Sequence, residues 1–249
     1  MRELIITVAG TATRFNRDTD KDTLKCLYHI GSHVNSLLYQ ILKKAEGVDR
    51  FIIVGGYLYS ELETFVEMNL SEFRNKIELV YNPYYKEYGS GYSLIKGIES
   101  VSENTDEVLF VEGDLYFDSP SFLKVINSSK NVITMNREFI LSNKAVALYV
   151  SSADRVRYVY DTNHNSLLID EPFKAIYNSA QIWKFTSYTK LKSVVDALTE
   201  QQVKGTNLEI IQGYFGDMGL DELEFIPFEI WYNCNTVSDY KKVYSIIRA

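Results

Sequence analysis

Short apolar runs alternate with helical patterns along the first part of the chain. The apolar runs occupy residues 3–8, 49–56, 77–82 and 107–114. Between them, apolar side chains recur at helical spacing over residues 34–45 and 58–73, and a further helical segment starts near Ser90. Strands that alternate with helices predict a mostly parallel sheet with helices packed on both of its faces.

The pattern changes after about residue 130. Short runs rich in β-branched and aromatic residues, typical of antiparallel strands, occupy residues 131–136, 145–150, 155–161 and 166–170. Two helical stretches follow, at 187–200 and 206–215, and then an apolar run at 223–233 and a final helix. No linker or low-complexity tract divides the sequence, so the pattern predicts one domain over residues 1–249.

Composition and charge exclude several classes of partner. The 249 residues are 46% hydrophobic, which supports a sizeable core. The net charge of −7 comes from interspersed charges, so no basic face is offered to nucleic acid or to an anionic membrane. No apolar run approaches the roughly 20 residues of a membrane helix, and no signal-peptide pattern is visible, so a cytoplasmic location is expected. Two cysteines are too few for a disulfide framework or a metal cluster, and a homo-oligomer is left open.

A run of small residues lies between the first strand and an arginine. The segment consists of Val8, Ala9, Gly10, Thr11, Ala12, Thr13 and Arg14, and Lys25 follows eleven residues later. Small residues let backbone N–H groups approach anionic oxygens, while an arginine fork and a mobile lysine bind phosphate. An ordinary turn with two solvated cations is the alternative. A Walker P-loop is excluded because no G-K-[ST] follows the small residues.

Oxygen ligands for a metal ion are predicted at two places. Asp114 ends an apolar strand, with Gly113 before it and Glu112 as a lesser partner, and Asn235 precedes the last helix. Carboxylate and amide oxygens both suit a hard cation such as Mg²⁺. Each residue could instead only cap a turn or a helix.

The segment at residues 82–93 combines aromatic residues with small ones. It contains Tyr88, Gly89, Ser90, Gly91 and Ser93. Its glycines could lay backbone amides against a nucleotide at a helix N-terminus, with Ser90 as the cap. A capped helix with aromatic packing is the alternative interpretation.

These segments, in their order along the chain, resemble the nucleotidyltransferases of the sugar-phosphate and phosphocholine type. The family's strand followed by A-A-G-x-G-x-R is matched by residues 8–14, and its lysine by Lys25. Its G-D strand end is matched by residues 113–114, and its D or N before the last helix by Asn235. The segment YNPYYKEYGSGYSL (81–94) is similar to the Y-N-x-x-Y-x-x-Y-N-N-x-Y-S segment of the phosphocholine cytidylyltransferase branch.

The chain departs from the family pattern at a few positions. Ala12 replaces the usual second glycine, and Leu24 replaces the common proline before the lysine. Gly89 and Ser90 stand where the phosphocholine branch has two asparagines, so the local contacts of that branch are not carried over. Asn235 gives the metal site one negative charge fewer than the Asp version.

The resemblance implies a three-layer α/β/α, Rossmann-like fold of the GT-A type. A mixed, mostly parallel central sheet would carry a small antiparallel acceptor-binding part. Residues 1–130 would form the nucleotide-binding part, 131–230 the acceptor-binding part, and 231–249 a closing segment and helix.

The resemblance also implies an enzyme that transfers CMP from CTP, or a nucleotide from another NTP, to a small phosphorylated acceptor. The base would be bound by residues 8–10 and the segment around Ser90, and the β- and γ-phosphates by Arg14. Lys25 would lie between the α-phosphate and the acceptor, and Asp114 and Asn235 would bind Mg²⁺. The attacking phosphate dianion is already a nucleophile, so no strong base is required.

Acceptor choice is assigned to residues 170–185 and 206–215, again by resemblance. Asp170, Glu171, Tyr177, Trp183 and Glu209 could form an aromatic and acidic enclosure for a cationic head group such as choline, and Lys25 would hold the acceptor phosphate. Core packing is the alternative for both aromatic residues. Phosphonates, phosphorylated amino acids or amides, and sugar 1-phosphates remain open as acceptors.

Two rival functions remain on the same fold. A GT-A glycosyltransferase would use Glu112, Gly113 and Asp114 as its metal motif and would bind a finished nucleotide sugar. Arg14 and Lys25 argue against it, because such an enzyme holds no leaving pyrophosphate. A non-catalytic, nucleotide-binding regulatory protein is suggested by Ala12 and Asn235.

Overall fold

A computed structural model describes residues 1–141, 146–159 and 167–248. The strands in these ranges are β1 (Arg2–Thr7), β2 (Arg50–Gly55), β3 (Ile77–Tyr81), β4 (Glu107–Glu112), β5 (Leu115–Phe117), β6 (Asn131–Asn136), β7 (Ala147–Ser151), β8 (Val156–Val159), β9 (Phe173–Phe185), β10 (Leu223–Pro227) and β11 (Trp231–Asn233). The α-helices are α1 (Thr13–Asn16), α2 (Leu37–Lys44), α3 (Tyr59–Asn69), α4 (Ser90–Glu99), α5 (Ser119–Asn127), α6 (Tyr188–Asp196), α7 (Glu200–Val203), α8 (Asn207–Phe215) and α9 (Val237–Ile247). Short 3₁₀ turns cover His33–Asn35, Ser71–Lys76 and Leu220–Glu222.

Nine of these strands form one mixed sheet. Its order is β10-β6-β9-β4-β1-β2-β3, and the β7–β8 pair is attached to β9. Strands β4, β1, β2 and β3 run parallel, as do β10 and β6, whereas β9 runs antiparallel to β4, β6 and β7. The mostly parallel sheet with a small antiparallel part is therefore confirmed.

The two faces of the sheet are covered by different helices. In β1, Leu4 and Ile6 pack toward α2 and α3, and Ile5 packs on the opposite face toward α4 and α8. This alternation follows from the two-residue period of a strand. Because both faces are buried, the strands are continuous apolar runs, and these runs made the sheet predictable.

A small second sheet connects two distant parts of the chain. Strand β5 follows β4 almost directly, and it pairs antiparallel with β11. Leu115 lies opposite Asn233, and the N–H of Cys234 donates to the carbonyl oxygen of Asp114 at 2.8 Å. The segment before α9 is thereby fixed beside the carboxyl end of β4.

The long strand β9 contains a bulge. Ile133 of β6 pairs with Trp183, but Met135 pairs with Ser179, so β9 has two extra residues at this point. Gln181, inside the bulge, has a positive φ of 58°. Such a conformation is unfavourable for a non-glycine residue and is often found at functional sites.

Two details of the predicted elements are wrong. Residues 167–170 form no strand, while residue 166 and the ends of the expected strands at 145–150 and 155–161 lie outside the described residues. The helix expected over 187–200 ends at Asp196, and a new one begins after Thr199, whose side chain and that of Gln202 form a capping box. None of the helices in the described ranges is long and apolar enough to span a bilayer.

Candidate active site

A first cavity of about 220 Å³ lies at the carboxyl ends of the parallel strands. It is lined by Thr7, Val8, Ala9, Gly10, Leu24, Lys25, Cys26, Asn82, Tyr85, Tyr88, Gly89, Ser90, Ser93, Glu112, Gly113 and Asp114. Backbone hydrogen bonds fix its floor, because Val8 N–H donates to the Val54 carbonyl at 2.8 Å and Gly113 N–H donates to Thr7 at 3.0 Å. The cavity has the position at which open α/β sheets bind ligands.

Glycine at position 113 allows β1 and β4 to approach each other after their last paired residues. A Cβ at this position would lie 3.0 Å from the Thr7 carbonyl oxygen and would also meet the Val8 side chain. The strand end that carries Asp114 is therefore held close to the small-residue loop.

The loop ends in a strained residue. Ala12 has φ 51° and precedes α1, in the left-handed region that glycine adopts easily. Thr11 and Thr13, on either side of it, have hydroxyl groups 3.0 Å apart. The helix that follows is anchored by Phe15, which is fully buried against Tyr28 and α9.

We expect Ala12→Gly to stabilise the protein. Relief of the left-handed alanine gains about 1–2 kcal/mol, and the greater freedom of glycine in the unfolded chain opposes it by about 0.5–1 kcal/mol. The melting temperature should rise by about 1–3 °C in a thermal melt. Ala197→Gly, at an exposed position with φ −90°, is the control and should lower it. An equal decrease in the melting temperature of both variants would show that the backbone of Ala12 is not strained.

Two cations and two oxygen ligands meet at one side of the cavity. Lys25 Nζ lies 2.5 Å from Asp114 Oδ2 and 3.4 Å from Asn235 Oδ1. Arg14 Nη2 donates to the same Asn235 oxygen at 2.9 Å. Arg14 is exposed, whereas the side chains of Lys25 and Asp114 are 23% and 14% exposed. The predicted residues of four separate segments thus form one cluster.

The donor set fits a magnesium ion that is completed by phosphate and water. Asp114 Oδ1 is buried and has no hydrogen-bond partner, so one carboxylate oxygen is available as a ligand. Asn235 supplies an amide oxygen beside it. Within the described ranges, no group of three or more His, Cys, Asp or Glu side chains could hold a metal ion. Mg²⁺ commonly needs only one or two carboxylates together with substrate phosphates.

Glu112 lies between the cluster and α8. Asn207 Nδ2 donates to Glu112 Oε1 at 2.6 Å. Desolvation, and next the negative charge of Asp114, raise the pKa of Glu112 to about 7. The site therefore limits the negative charge that it carries beside Asp114.

The segment with Gly89, Ser90 and Gly91 is used differently from the prediction. Gly89 is the residue before α4, and Ser90 is the first helical residue rather than the cap. The N–H groups of Gly89 and Gly91 donate to Lys204 and Gly205, so they are not free for a nucleotide. A Cβ at Gly91 would lie 2.8 Å from the Thr206 carbonyl oxygen. The two glycines allow close packing of the 204–206 loop.

Tyr88, Ser90 and Ser93 remain at the cavity wall. The Ser90 hydroxyl accepts from the Asn207 N–H at 3.2 Å. Ser93 accepts from Asn82 Nδ2 at 2.9 Å, and Asn82 is 1% exposed. Sequence reasoning missed Asn82, although its place directly after β3 was a usable signal.

Of the residues predicted for the acceptor, Lys25 lines this cavity, whereas Tyr177, Trp183 and Glu209 line neither of the two cavities on this side. Trp183 is fully buried and stacks on Phe110, with 5.3 Å between the ring centroids. Tyr177 packs against Phe225 at 5.9 Å on the same face of the sheet. Glu209 accepts from Gln202 Nε2 at 3.3 Å on α8. The prediction of Tyr177 and Trp183 as acceptor residues is wrong, because strand alternation turns both toward α8.

A second cavity of about 720 Å³ adjoins the first. It is lined by Arg14, Lys25, Glu112, Asp114, Glu138, Phe139, Leu141, Val146, Asn178, Gln181, Trp231, Tyr232, Asn233, Asn235, Thr236, Asp239 and Lys242. Lys25, Glu112 and Asp114 line both cavities. No local sequence pattern marks Asn178 and Gln181 as site residues, because the bulge in β9 decides which residues face this cavity.

The fold is shared with solved nucleotidyltransferases. The inositol-1-phosphate CTP transferase from T. maritima is 19% identical, with a TM-score of 0.71 over 100% of this chain and 95% of that chain. The CTP:phosphocholine cytidylyltransferase LicC from Streptococcus pneumoniae is 18% identical, with a TM-score of 0.61 over 99% of each chain. HddC from Yersinia pseudotuberculosis, complexed with GMP-PN, is 16% identical, with a TM-score of 0.63 over 99% of this chain and 100% of that chain. The expected three-layer fold is thereby confirmed.

Sequence comparison gives a family without an assigned activity. No curated protein sequence matches the chain. One family model matches residues 21–247, which include Lys25, Asp114 and Asn235. The chain therefore belongs to the family described as domain of unknown function DUF6564, on a fold that it shares with solved nucleotidyltransferases.

Proposed function

We propose that the chain is a Mg²⁺-dependent nucleotidyltransferase. It transfers CMP from CTP to the phosphate of a small phosphorylated acceptor and releases pyrophosphate. The observation that carries this proposal is the junction of the two cavities, where Lys25, Glu112 and Asp114 line both. Nucleotidyl transfer requires such a junction, because both substrates must meet at one phosphorus atom.

The cations hold anionic groups and orient them. Lys25 faces both cavities, so its ammonium group is available to the α-phosphate and to the attacking acceptor phosphate. Arg14 lies beside Asn235 in the second cavity and is available to the outer phosphates. An arginine fork and a lysine point charge are suited to these roles.

Asp114 and Asn235 would hold the metal ion. When bound, Mg²⁺ neutralises charge on the α-phosphate as the new bond forms. The acceptor oxygen then forms a bond to the α-phosphorus, and the bond from that phosphorus to the bridging oxygen breaks, so that pyrophosphate leaves with the electron pair. A phosphate dianion attacks without a base, so the site needs no activated Ser or Cys.

CTP is proposed over other nucleotides for two reasons. The segment over residues 81–94 resembles the phosphocholine cytidylyltransferase branch. In addition, the solved structures from T. maritima and S. pneumoniae are named as enzymes that use CTP. Acceptor identity is a separate question.

The test measures pyrophosphate release. The protein is incubated with Mg²⁺, each of the four NTPs in turn, and a panel of phosphorylated small molecules, and pyrophosphate is detected by a coupled assay. We expect release with CTP that depends on an acceptor and stops with EDTA. Consumption of a nucleotide sugar without pyrophosphate would instead favour a glycosyltransferase.

Nucleotide binding is tested separately by a thermal shift with each NTP and Mg²⁺. A ligand at a hundred times its dissociation constant adds about 2.7 kcal/mol to the free energy of unfolding. We expect a shift with CTP. If no NTP shifts the melting temperature and none releases pyrophosphate, the proposal is wrong.

A further inference from the structure

Two buried amide side chains face the second cavity without a protein partner. Asn178 is 7% exposed and Gln181 is 4% exposed, and both line the cavity. Within the described part of the chain, no hydrogen bond involves the side-chain amide of either residue. Neither amide is among the buried side-chain atoms that lack a partner, so both reach the cavity surface, where a ligand can form hydrogen bonds with them. Both amides therefore suit a ligand that supplies hydrogen bonds.

The backbone around Gln181 is held in place despite its strained conformation. Its N–H donates to Ser179 Oγ at 3.0 Å. The hydroxyl of Thr134, which is fully buried, donates to the Ile182 carbonyl at 2.7 Å and accepts from the Ile182 N–H at 3.2 Å. Trp231 Nε1 donates to the Ala180 carbonyl at 2.7 Å. The Gln181 amide is thus positioned before any ligand binds, as expected where strain serves a function.

The carboxylates of the same cavity are poorly suited to a cationic head group. Asp239 Oδ2 accepts from the backbone N–H groups of Asn235 and Thr236. Asp114 is paired with Lys25. Glu138 is exposed. Away from the cluster of Lys25, Asp114 and Asn235, the buried part of the wall therefore offers neutral amides rather than carboxylates.

Amides and hydroxyl groups are complementary, because each can donate and accept hydrogen bonds. A trimethylammonium group can do neither, so it would leave both amides unpaired. We propose that the second cavity binds the neutral, hydroxyl-bearing body of the acceptor, and that Asn178 and Gln181 select it. The substrate class is a phosphorylated polyol or sugar. This inference rests on the proposed nucleotidyl transfer and adds the class of acceptor.

The test compares two classes of acceptor with CTP and Mg²⁺. The hydroxylated probes are myo-inositol 1-phosphate, glucose 1-phosphate and glycerol 3-phosphate, and the cationic probe is phosphocholine. We expect the best hydroxylated probe to have a kcat/KM at least about tenfold above that of phosphocholine. Gln181→Met should raise the KM for that probe about tenfold or more and leave the KM for CTP unchanged. Asn178→Ala, at a position in regular strand pairing, is a second variant with the same expectation.

A binding measurement keeps the acceptor class testable without turnover. Trp231 lines the cavity and Trp183 lies in the core, so intrinsic fluorescence reports the acceptor titration directly. Tighter binding of a hydroxylated probe in the wild type, and its loss in both variants, supports the inference. Equal or better use of phosphocholine, unchanged variants, or no binding of any hydroxylated probe overturns it. Pyrophosphate release from CTP with phosphocholine as the acceptor would still support nucleotidyl transfer, so the two failures are distinguishable.

Discussion

Asp114→Asn should lower kcat/KM for pyrophosphate release by about a thousandfold or more. The substitution keeps the shape of the side chain but removes its negative charge. In the carboxylate, Oδ1 is buried and has no hydrogen-bond partner, so it is the oxygen that is available to the metal ion. It also removes the charge that pairs with Lys25 at 2.5 Å. Steady-state kinetics with CTP and the best acceptor measure the effect. Circular dichroism and a thermal melt establish that the variant is folded.

Asp106→Asn is the matched control for this prediction. Asp106 lies just before β4, and Asp114 lies just after it, so the two acids are at opposite ends of the same strand. The Asp106 side chain is 82% exposed, and within residues 1–141, 146–159 and 167–248 it pairs only with the amino-terminal ammonium group. We expect wild-type kinetics from this control. A folded Asp114→Asn variant with more than a tenth of wild-type activity would remove Asp114 from the proposed reaction.

Lys25→Met should affect activity and metal binding in opposite directions. Loss of the ammonium group removes the cation that faces both cavities, and kcat/KM should fall by about a hundredfold to a thousandfold. The same ammonium group lies 2.5 Å from Asp114 and 3.4 Å from Asn235, where it competes with a divalent ion. The nucleotide-free variant should therefore bind Mn²⁺ about tenfold more tightly than the wild type, because like charges repel.

Electron paramagnetic resonance of free Mn²⁺ measures this affinity without any turnover. Lys21→Met, at an exposed position in the same loop, is the control and should change neither the affinity nor the kinetics. Weaker or unchanged Mn²⁺ binding in Lys25→Met would contradict the competition. It would also argue that Asp114 and Asn235 do not form the metal site.

The central sheet could be predicted because its strands are buried on both faces. Continuous apolar runs such as Leu4 to Ile6 gave a clear signal, and the glycines after β2 and β4 ended them. The antiparallel part was less accessible to sequence reasoning. Strand β9 has 13 residues and changes partners along its length, and no local pattern encodes such a change.

The charged cluster of the candidate site could be predicted, because its charged and amide side chains come shortly after strands and their residue types alone indicate phosphate and metal binding. Arg14, Lys25 and Asp114 lie in segments that follow parallel strands, whose carboxyl ends meet at one edge of the sheet, and the pairing of β5 with β11 adds Asn235 to the cluster. The acceptor side was not predictable in the same way. Tyr177 is directly followed by Asn178, and only the register of β9 decides which of them faces the cavity.

The pairing of β5 with β11 has a consequence for biosynthesis. This pairing joins residues 115–117 to residues 231–233 and so holds the segment with Asn235 beside Asp114. A nascent polypeptide that has left the ribosome up to residue 220 already contains the small-residue loop, Lys25 and Asp114, yet it lacks the strand that delivers Asn235. The polypeptide should therefore become able to catalyse the reaction late in its synthesis, after the segments that line the nucleotide cavity have been made.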